Sequence, residues 1–305
     1  MSIPFVRQFD FAYGRRDQLS PRIQRVIADN PGPFTFTGTG VYIIGNASAA
    51  VIDPGPDTPK HRKALWEALD GRRVSHVLLT HHHLDHSPLA APLAAAHDCK
   101  VYAFPLESSP PEARAASLAA EAIALEEGFD SRFKPDVNLK DGDIIKGDGW
   151  TIEALHTPGH TSNHLCFALL EENVLFSGDH IMGWSTSVVS PPDGHMGDYL
   201  SSLKRIKDRD FKQLWPTHGT SIDAPRPFID AYIAHRQKRE DQIMAAIHNG
   251  LNTIGAMVAS IYSDVDKRLH PAAAHSVLSH LIHMEETGRV KTNGPPSLST
   301  NFSAV

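Results

Sequence analysis

Six residues constrain this chain more than any others. Residues 81–86 read His-His-His-Leu-Asp-His and follow directly on the apolar, β-branched run VSHVLLT at 74–80. Such a run predicts a buried strand. Ionisable groups crowded at its end are costly in a folded interior unless something binds them. In extended backbone, residues two apart point the same way, so His81 and His83 can aim at one ion while His82 faces away. Asp85 and His86 lie at the following turn, displaced enough to reach a second ion. Neutral imidazole and carboxylate are ordinary zinc ligands. The fold must then bring further donors to the same strand end.

Three other stretches offer them. His160 lies in HTPGHTSNH, where Thr157, Pro158 and Gly159 set a tight loop. Asp179 lies in LFSGDH and His218 in WPTHG, each at the end of an apolar run. Singly, His160 and His218 read as hydrogen-bonded turn histidines and Asp179 as a turn former after Gly178. The joint pattern, several strand ends each presenting one donor, overturns those readings. The other histidines receive ordinary places. His61, His76, His97, His235 and His248 belong to surfaces or helix faces, and His156 is structural in its loop. His180 and His195 are assigned to the surface, with lining the pocket as the alternative. His270, His275, His280 and His283 lack acidic or cysteine company and are assigned to packing or surface.

The surrounding pattern is that of an α/β chain. VYIIG and AAVID are strands around Gly45-Asn46, and a helix follows at about 59–70, ended by Gly71. After the histidine cluster, Ser87 is the expected N-cap, with Pro88 at the first helical position. The cluster thus occupies a strand-to-helix loop, the edge where such sheets usually open their sites. A helix is expected after Pro111, strands over 136–155, and a hairpin from LCFALL and NVLFSG. The Gly-, Pro- and Ser-rich loop 183–197 is placed at a pocket border. A helix at 198–208 and the strand FKQLWPTHG complete this part. From Pro225 the pattern turns helical, with a first helix at about 227–248 and GRVKT as a small β-wing. The expected domains are 1–224 and 225–305.

Composition narrows the functions. Charged residues make up 21% of the chain and the net charge is -6, with no long run of one sign, so bulk charge calls for neither nucleic acid nor a membrane. From His235 onward seven Lys/Arg face six Asp/Glu, far short of a dedicated nucleic-acid module. Cys99 and Cys166 form no disulfide framework. The N-terminus lacks the apolar stretch of a signal peptide, and no run of about 18 apolar residues appears, so a cytoplasmic protein is expected.

THHHLDHS, TPGHT, FSGD and PTHG together resemble the metallo-β-lactamase superfamily, in the family's order and spacing. The resemblance implies an αββα sandwich with a binuclear zinc site between its sheets and a small C-terminal helical, winged-helix-like domain. Carried onto this chain, His81, His83 and His160 would hold the first zinc. Asp85, His86 and His218 would hold the second, and Asp179 would bridge them. The whole chain also resembles the group around β-lactamase-like protein two, an endoribonuclease, through NPGPFT, IDPG and AHRQKREDQI. It departs from that group at Gly40, where Asn often follows Gly-Thr.

The expected activity is that of a two-zinc hydrolase acting on an ester, thioester, lactone or amide, with Asp85 both ligating and orienting the attacking water. A phosphodiesterase of the endoribonuclease kind is the alternative, and a nucleic-acid-binding or scaffold role for the tail a third reading. A small molecule is the expected partner, with single-stranded RNA and a homodimer as further options. The tail is expected to shape substrate access while contributing no ligand.

Overall fold

The structure, a computed structural model, describes residues 2–106 and 128–305. Its first sheet has seven strands in sequence order: β1 (Arg16–Gln18), β2 (Ile23–Ile27), β3 (Gly40–Ile44), β4 (Ser48–Ile52), β5 (Arg73–Leu78), β6 (Lys100–Ala103) and β7 (Val137–Asn138). The first four pair antiparallel and the last four parallel. The parallel part is built through α1 (Pro59–Leu69) and α2 (Ala90–His97). The second sheet has the order β12-β11-β10-β9-β8, from β8 (Ile144–Gly147), β9 (Trp150–His156), β10 (Leu165–Leu169), β11 (Val174–Gly178) and β12 (Gln213–Pro216). Helix α3 (Met196–Asp208) connects β11 to β12.

The alternation of strand side chains divides the core into layers. Tyr42, Ile44, Ala50 and Ile52 point inward and pack with Trp150, Ile152, Phe167 and Phe176 of the second sheet. Their neighbours Val41, Ile43, Ala49 and Val51 point outward onto Leu65, Leu69 and Leu93 of α1 and α2. Leu155, Cys166 and Leu175, on the far side of the second sheet, pack against Tyr199, Leu203 and Ile206 of α3. Strands buried on both faces read as unbroken apolar runs, which is why VYIIG and AAVID stand out in the sequence. The result is an αββα sandwich. At its site end the sheets are tied together: Tyr42 Oη donates to Pro216 O at 2.6 Å and Gly40 N to Thr217 O at 2.8 Å. A Cβ on residue 40 would lie 2.9 Å from that Thr217 carbonyl, so Gly40 suits this close approach.

The tail consists of α4 (Pro225–His248), α5 (Ile254–Ile261), a short 3-10 turn (Lys267–Leu269), α6 (His270–Glu286) and the antiparallel pair β13 (Val290–Thr292) and β14 (Phe302–Ala304). The β-wing expected at GRVKT is thus present. Helix α4 serves two cores. Phe228, Ile229 and Tyr232 pack with α3 and the second sheet, whereas Ile243, Ala246 and Ile247 pack with α5 and α6.

Several expectations need correction. Ser87 does not cap α2; Leu89 stands at that position without a side-chain cap. The Ser87 hydroxyl is engaged elsewhere, with His83 O at 3.2 Å and Asp130 Oδ2 at 3.1 Å. His61 does lie on a helix face, the buried one of α1, and its Nε2 donates to Pro54 O at 2.8 Å. His280 has acidic company after all, since Glu240 reaches across from α4 to its Nδ1 at 3.4 Å. β1 and β2 lie ahead of the strands that the apolar pattern singled out. The helix expected after Pro111 lies outside the described residues. Among the described residues, no helix is long and apolar enough to cross a membrane.

Candidate metal centre

Strand β5 ends at Leu78, and the chain turns into the histidine cluster with its backbone anchored. Asp53, at the end of the neighbouring β4, is buried and accepts from Thr80 N at 2.8 Å and Thr80 Oγ1 at 2.7 Å. The loop that follows buries His81, His83, Asp85 and His86. His160 arrives after β9, Asp179 after β11 and His218 after β12. All seven residues singled out in the sequence meet at this one end of the sandwich.

Their donor atoms fall into groups. His81, His83 and His160 form one close set, Asp85, His86 and His218 another, and Asp179 stands with His81 and His86 in a third. His81 Nε2 lies 2.9 Å from His83 Nδ1 and 3.3 Å from His160 Nε2. Donors on a tetrahedral zinc, each about 2.0–2.1 Å from the ion, sit about 3.3 Å apart, so this spacing fits. In the other set Asp85 Oδ2 lies 3.2 Å from His86 Nε2 and 3.1 Å from His218 Nε2. Asp179 faces both: Oδ1 is 3.4 Å from His218 Nε2 and 3.7 Å from His86 Nε2, while Oδ2 is 4.0 Å from His160 Nε2. Asp179 Oδ1 is buried yet accepts no well-formed hydrogen bond among the described residues, which suits a metal-ligating oxygen.

The outer faces of the rings are fixed by hydrogen bonds, as metal-binding histidines require. His160 Nδ1 donates to Val188 O at 2.7 Å, and His218 Nδ1 lies 3.3 Å from Gly38 O. His86 Nδ1 meets Asp53 Oδ2 at 2.9 Å. Thr80 Oγ1 gives its proton to Asp53, so it can accept from His81 Nδ1 at 2.9 Å, which leaves His81 Nε2 with a free lone pair facing inward.

Electrostatics separates the sets. Burial, reinforced by the neighbouring rings of His86 and His83, holds His81 neutral, well below its ordinary range. Burial alone would do the same to His218, but Asp179 and Asp85 outweigh it and push that ring up to about 10. Burial likewise opposes the charge on His86, and Asp85, Asp179 and Asp53 overrule it. The same contacts, acting against burial, hold the Asp85 and Asp179 carboxyls well below the usual carboxylate range. Two buried carboxylates beside neutral-capable imidazoles are a donor set that suits a divalent cation, whose charge would balance theirs.

Residues the sequence reading set aside complete the surroundings. His82 turns away as expected: its Nδ1 meets Asn163 Oδ1 at 3.0 Å and its ring stacks on Phe129 at 5.0 Å. His164, left unassigned, is fully buried; its Nε2 accepts from Asp179 N at 3.3 Å and its Nδ1 meets Thr157 Oγ1 at 2.9 Å. Its site is shaped by Gly178, where a Cβ would stand 2.6 Å from His164 Nε2 and the backbone has φ +53°. His180, for which surface and pocket wall were both open from the sequence, is fully buried against Tyr199, and burial drives its ring down to about 3. His195 is partly buried at the start of α3. The site opens into a pocket of about 150 Å³ walled by Phe34, Met182, Trp184 and Val188, so loop 183–197 does border it.

A sandwich of two sheets with buried imidazoles and carboxylates gathered at its strand ends defines a metal-dependent hydrolase. Residues 35–218 match the Metallo-beta-lactamase superfamily, and residues 253–295 match the Beta-lactamase associated winged helix domain. The chain belongs to the metallo-beta-lactamase superfamily. It is 31% identical over 287 residues to the Beta-lactamase-like protein 2 homolog of Drosophila melanogaster, covering 90% of this chain and 92% of that protein. It is 32% identical over 234 residues to an atrochrysone carboxyl ACP thioesterase of Cryptosporiopsis sp., covering 76% of this chain but 64% of the thioesterase. Among solved structures, a Beta-lactamase domain protein from Burkholderia ambifaria shares the fold at a TM-score of 0.76 and 20% identity, covering 100% of this chain and 97% of that one. A metallo-beta-lactamase family protein from Thermus thermophilus does so at 0.75 and 24%, covering 94% and 100%.

Proposed function

We propose that this chain is a binuclear zinc hydrolase of small acyl substrates (ester, thioester, lactone or amide), with a thioester foremost. The observation that carries the reading is the placement of Asp179, with one oxygen toward His86 and His218 and the other toward His160. His81, His83 and His160 would hold one ion, Asp85, His86 and His218 the other, and Asp179 would lie between them. Two zinc ions, when bound, supply Lewis acidity and lower the pKa of a water toward about 7.

The chain's own groups do the rest. Asp85, kept ionised, remains an acceptor throughout and orients the attacking water, and Thr39 Oγ1 steadies it from 3.2 Å. Asp53 fixes the His86 ring from behind. Phe34, Met182, Trp184 and Val188 keep bulk water from the reacting group. Water adds across the acyl bond: its oxygen joins the carbonyl carbon, the carbon–sulfur, carbon–oxygen or carbon–nitrogen bond breaks, and a proton goes to the leaving group. Thioester chemistry is favoured by the likeness to the Cryptosporiopsis relative, which is named as a thioesterase.

The test is a substrate panel on zinc-loaded protein, pairing thioester, lactone and β-lactam substrates with single-stranded RNA, and including a His83→Ala control. Thioester turnover that needs zinc and disappears in the control is expected. Cleavage of RNA with no turnover of any carbonyl substrate would overturn the acyl reading in favour of phosphodiester chemistry.

A further inference from the structure

A second cavity, of about 340 Å³, adjoins the metal pocket; Phe34, Thr186 and Val188 line both. Its remaining walls come from loop 187–190 and from the tail. Val265, Leu269, Ala272 and Ala273 make its surface largely apolar. Set into that surface are two arginines of α4, Arg236 and Arg239.

These arginines are unlike several others of the chain. Arg62, Arg205 and Arg209 each pair with an acid, as exposed guanidinium groups commonly do. Arg236 is 4% exposed and lies over the Tyr199 ring at 5.0 Å, with Nη2 donating to Ser187 O and Nε buried with no hydrogen-bond partner among the described residues. Arg239 lies over the Tyr262 ring at 4.1 Å, and no acid pairs with it among the described residues. Nearby acids are engaged elsewhere: Glu240 meets Arg289 at 2.7 Å and Asp266 meets Arg268 at 2.6 Å. His235, also in the wall, is driven down to about 4, by burial first and then by Arg236 and Arg239, and stays neutral. A buried cation without counter-charge is costly; Arg236 is buried and Arg239 half-buried, and an anion entering the cavity would relieve that cost while an apolar body filled the rest.

We propose that this cavity holds the end of the substrate remote from the scissile bond, and that this end is an apolar chain bearing a carboxylate or phosphate met by Arg239. The inference rests on the reading of the adjoining pocket as the reaction centre. Arg236 backs the site through its field, and Arg239, the more accessible of the two, makes the contact. Binding energy at such a remote point positions the reacting group.

The test is direct binding to the full-length zinc-loaded protein by calorimetry. The probes are decanoate, decyl phosphate, decanol and inorganic phosphate alone. The two amphiphilic anions are expected to bind about tenfold or more tighter than decanol, the worth of a charge-assisted contact, and inorganic phosphate should bind weakly. The carboxylate and phosphate arms report which anion is preferred. Arg239→Gln should weaken the anions about tenfold or more, leave decanol unchanged, and leave zinc content intact. Ala272→Phe, which fills the cavity, should weaken all three decyl probes. Anions that bind Arg239→Gln as tightly as wild type, or no better than decanol, would overturn the proposal. Binding needs no turnover, so failure of the acyl-hydrolase reading and failure of this one are separately visible.

Discussion

Asp53 grips His86 from the side away from the metal centre: its Oδ2 stands 2.9 Å from His86 Nδ1, and both residues are fully buried. Thr80 and Thr217 hydroxyls also reach that carboxylate, at 2.7 and 3.2 Å. Asp53 therefore couples the ends of three strands to the orientation of one ring. Asp53→Asn keeps the shape and removes the charge. It is expected to weaken zinc binding by about 10–100-fold, read by competition with a chelating dye, with the circular dichroism spectrum unchanged. Wild-type affinity in a folded Asp53→Asn protein would remove Asp53 from the working site.

His82 and His83 offer the sharpest contrast between neighbours. His83→Ala removes a donor beside His81 and His160 and should lower activity by about 100-fold or more, with loss of metal. His82→Ala removes the Asn163 contact and the Phe129 stack, and should lower stability by about 1 kcal/mol with the zinc content kept. Elemental analysis and thermal melts on the two variants separate these outcomes. Equal zinc loss in both would mean that the side chains do not alternate as described.

The donor residues were legible because each carries its chemistry on its face and follows an apolar strand. Asp53 and His164 were harder to see. Asp53 looks like a loop-starting Asp before Pro54-Gly55, and only the parallel pairing of β4 with β5 brings it to Thr80 and His86. His164 sits in a string of polar residues, and its site depends on Gly178 at the end of the neighbouring strand. Ser87 has the composition of a helix cap, but its hydroxyl ties the loop to Asp130. The tail's helices could be read from periodicity, whereas the division of α4 between two cores could not, because one apolar stripe looks the same whichever surface covers it.

Metal removal should be felt by the whole sandwich. The donors come from the ends of separate strands, and with the zinc gone they must carry buried charge with protons alone. Each zinc bound at about 1,000 times its dissociation constant adds about 4 kcal/mol to stability. Chelation is expected to lower the melting temperature, and titration back should restore it with an end point of two zinc ions per chain. An end point that stays below one would reject the binuclear reading.

His195 links the sandwich to the tail and should do so in a pH-dependent way. Its Nε2 lies 2.8 Å from Glu286 Oε2 of α6, and its Nδ1 lies 2.9 Å from Asp198 Oδ2 and 3.2 Å from Asp198 N. Between two acids, the ring is best read as protonated, with Nδ1 donating to the carboxylate. His283 packs beside it at Gly197, and burial lowers that ring. The hydrogen bond to Asp198 and then that to Glu286 raise the His195 pKa, with burial opposing. A raised folded pKa gives stability that is fully present below the unfolded value of about 6.5 and is lost as pH climbs through the folded value. The melting-temperature gap between wild type and His195→Gln should therefore be widest near pH 6 and narrow at more alkaline pH. A gap that widens with pH would contradict this protonation state.

Tyr232 shows why the tail cannot be treated as a detachable cap. Its ring is buried with Phe228 under α3, and its hydroxyl lies 2.6 Å from Ser185 O, 2.8 Å from Met182 O and 3.2 Å from Met182 N. Met182 and Ser185 line the metal pocket, so a tail residue holds the pocket wall. Ending the chain at Ala224 would remove Phe228, Ile229, Tyr232 and Arg236 together and expose the apolar faces they cover, so such a truncation should fail to fold stably. Tyr232→Phe is the milder probe. It leaves buried backbone groups of Met182 and Ser185 without their partner, which should cost about 1–3 kcal/mol. Asp179 and His218 are held from elsewhere, so zinc content should stay at the wild-type level while the loosened loop raises KM for the acyl substrate more than it lowers kcat. Loss of zinc from folded Tyr232→Phe would show that the tail supports the ligands themselves, and an unchanged KM would show that this hydroxyl has no part in shaping the pocket.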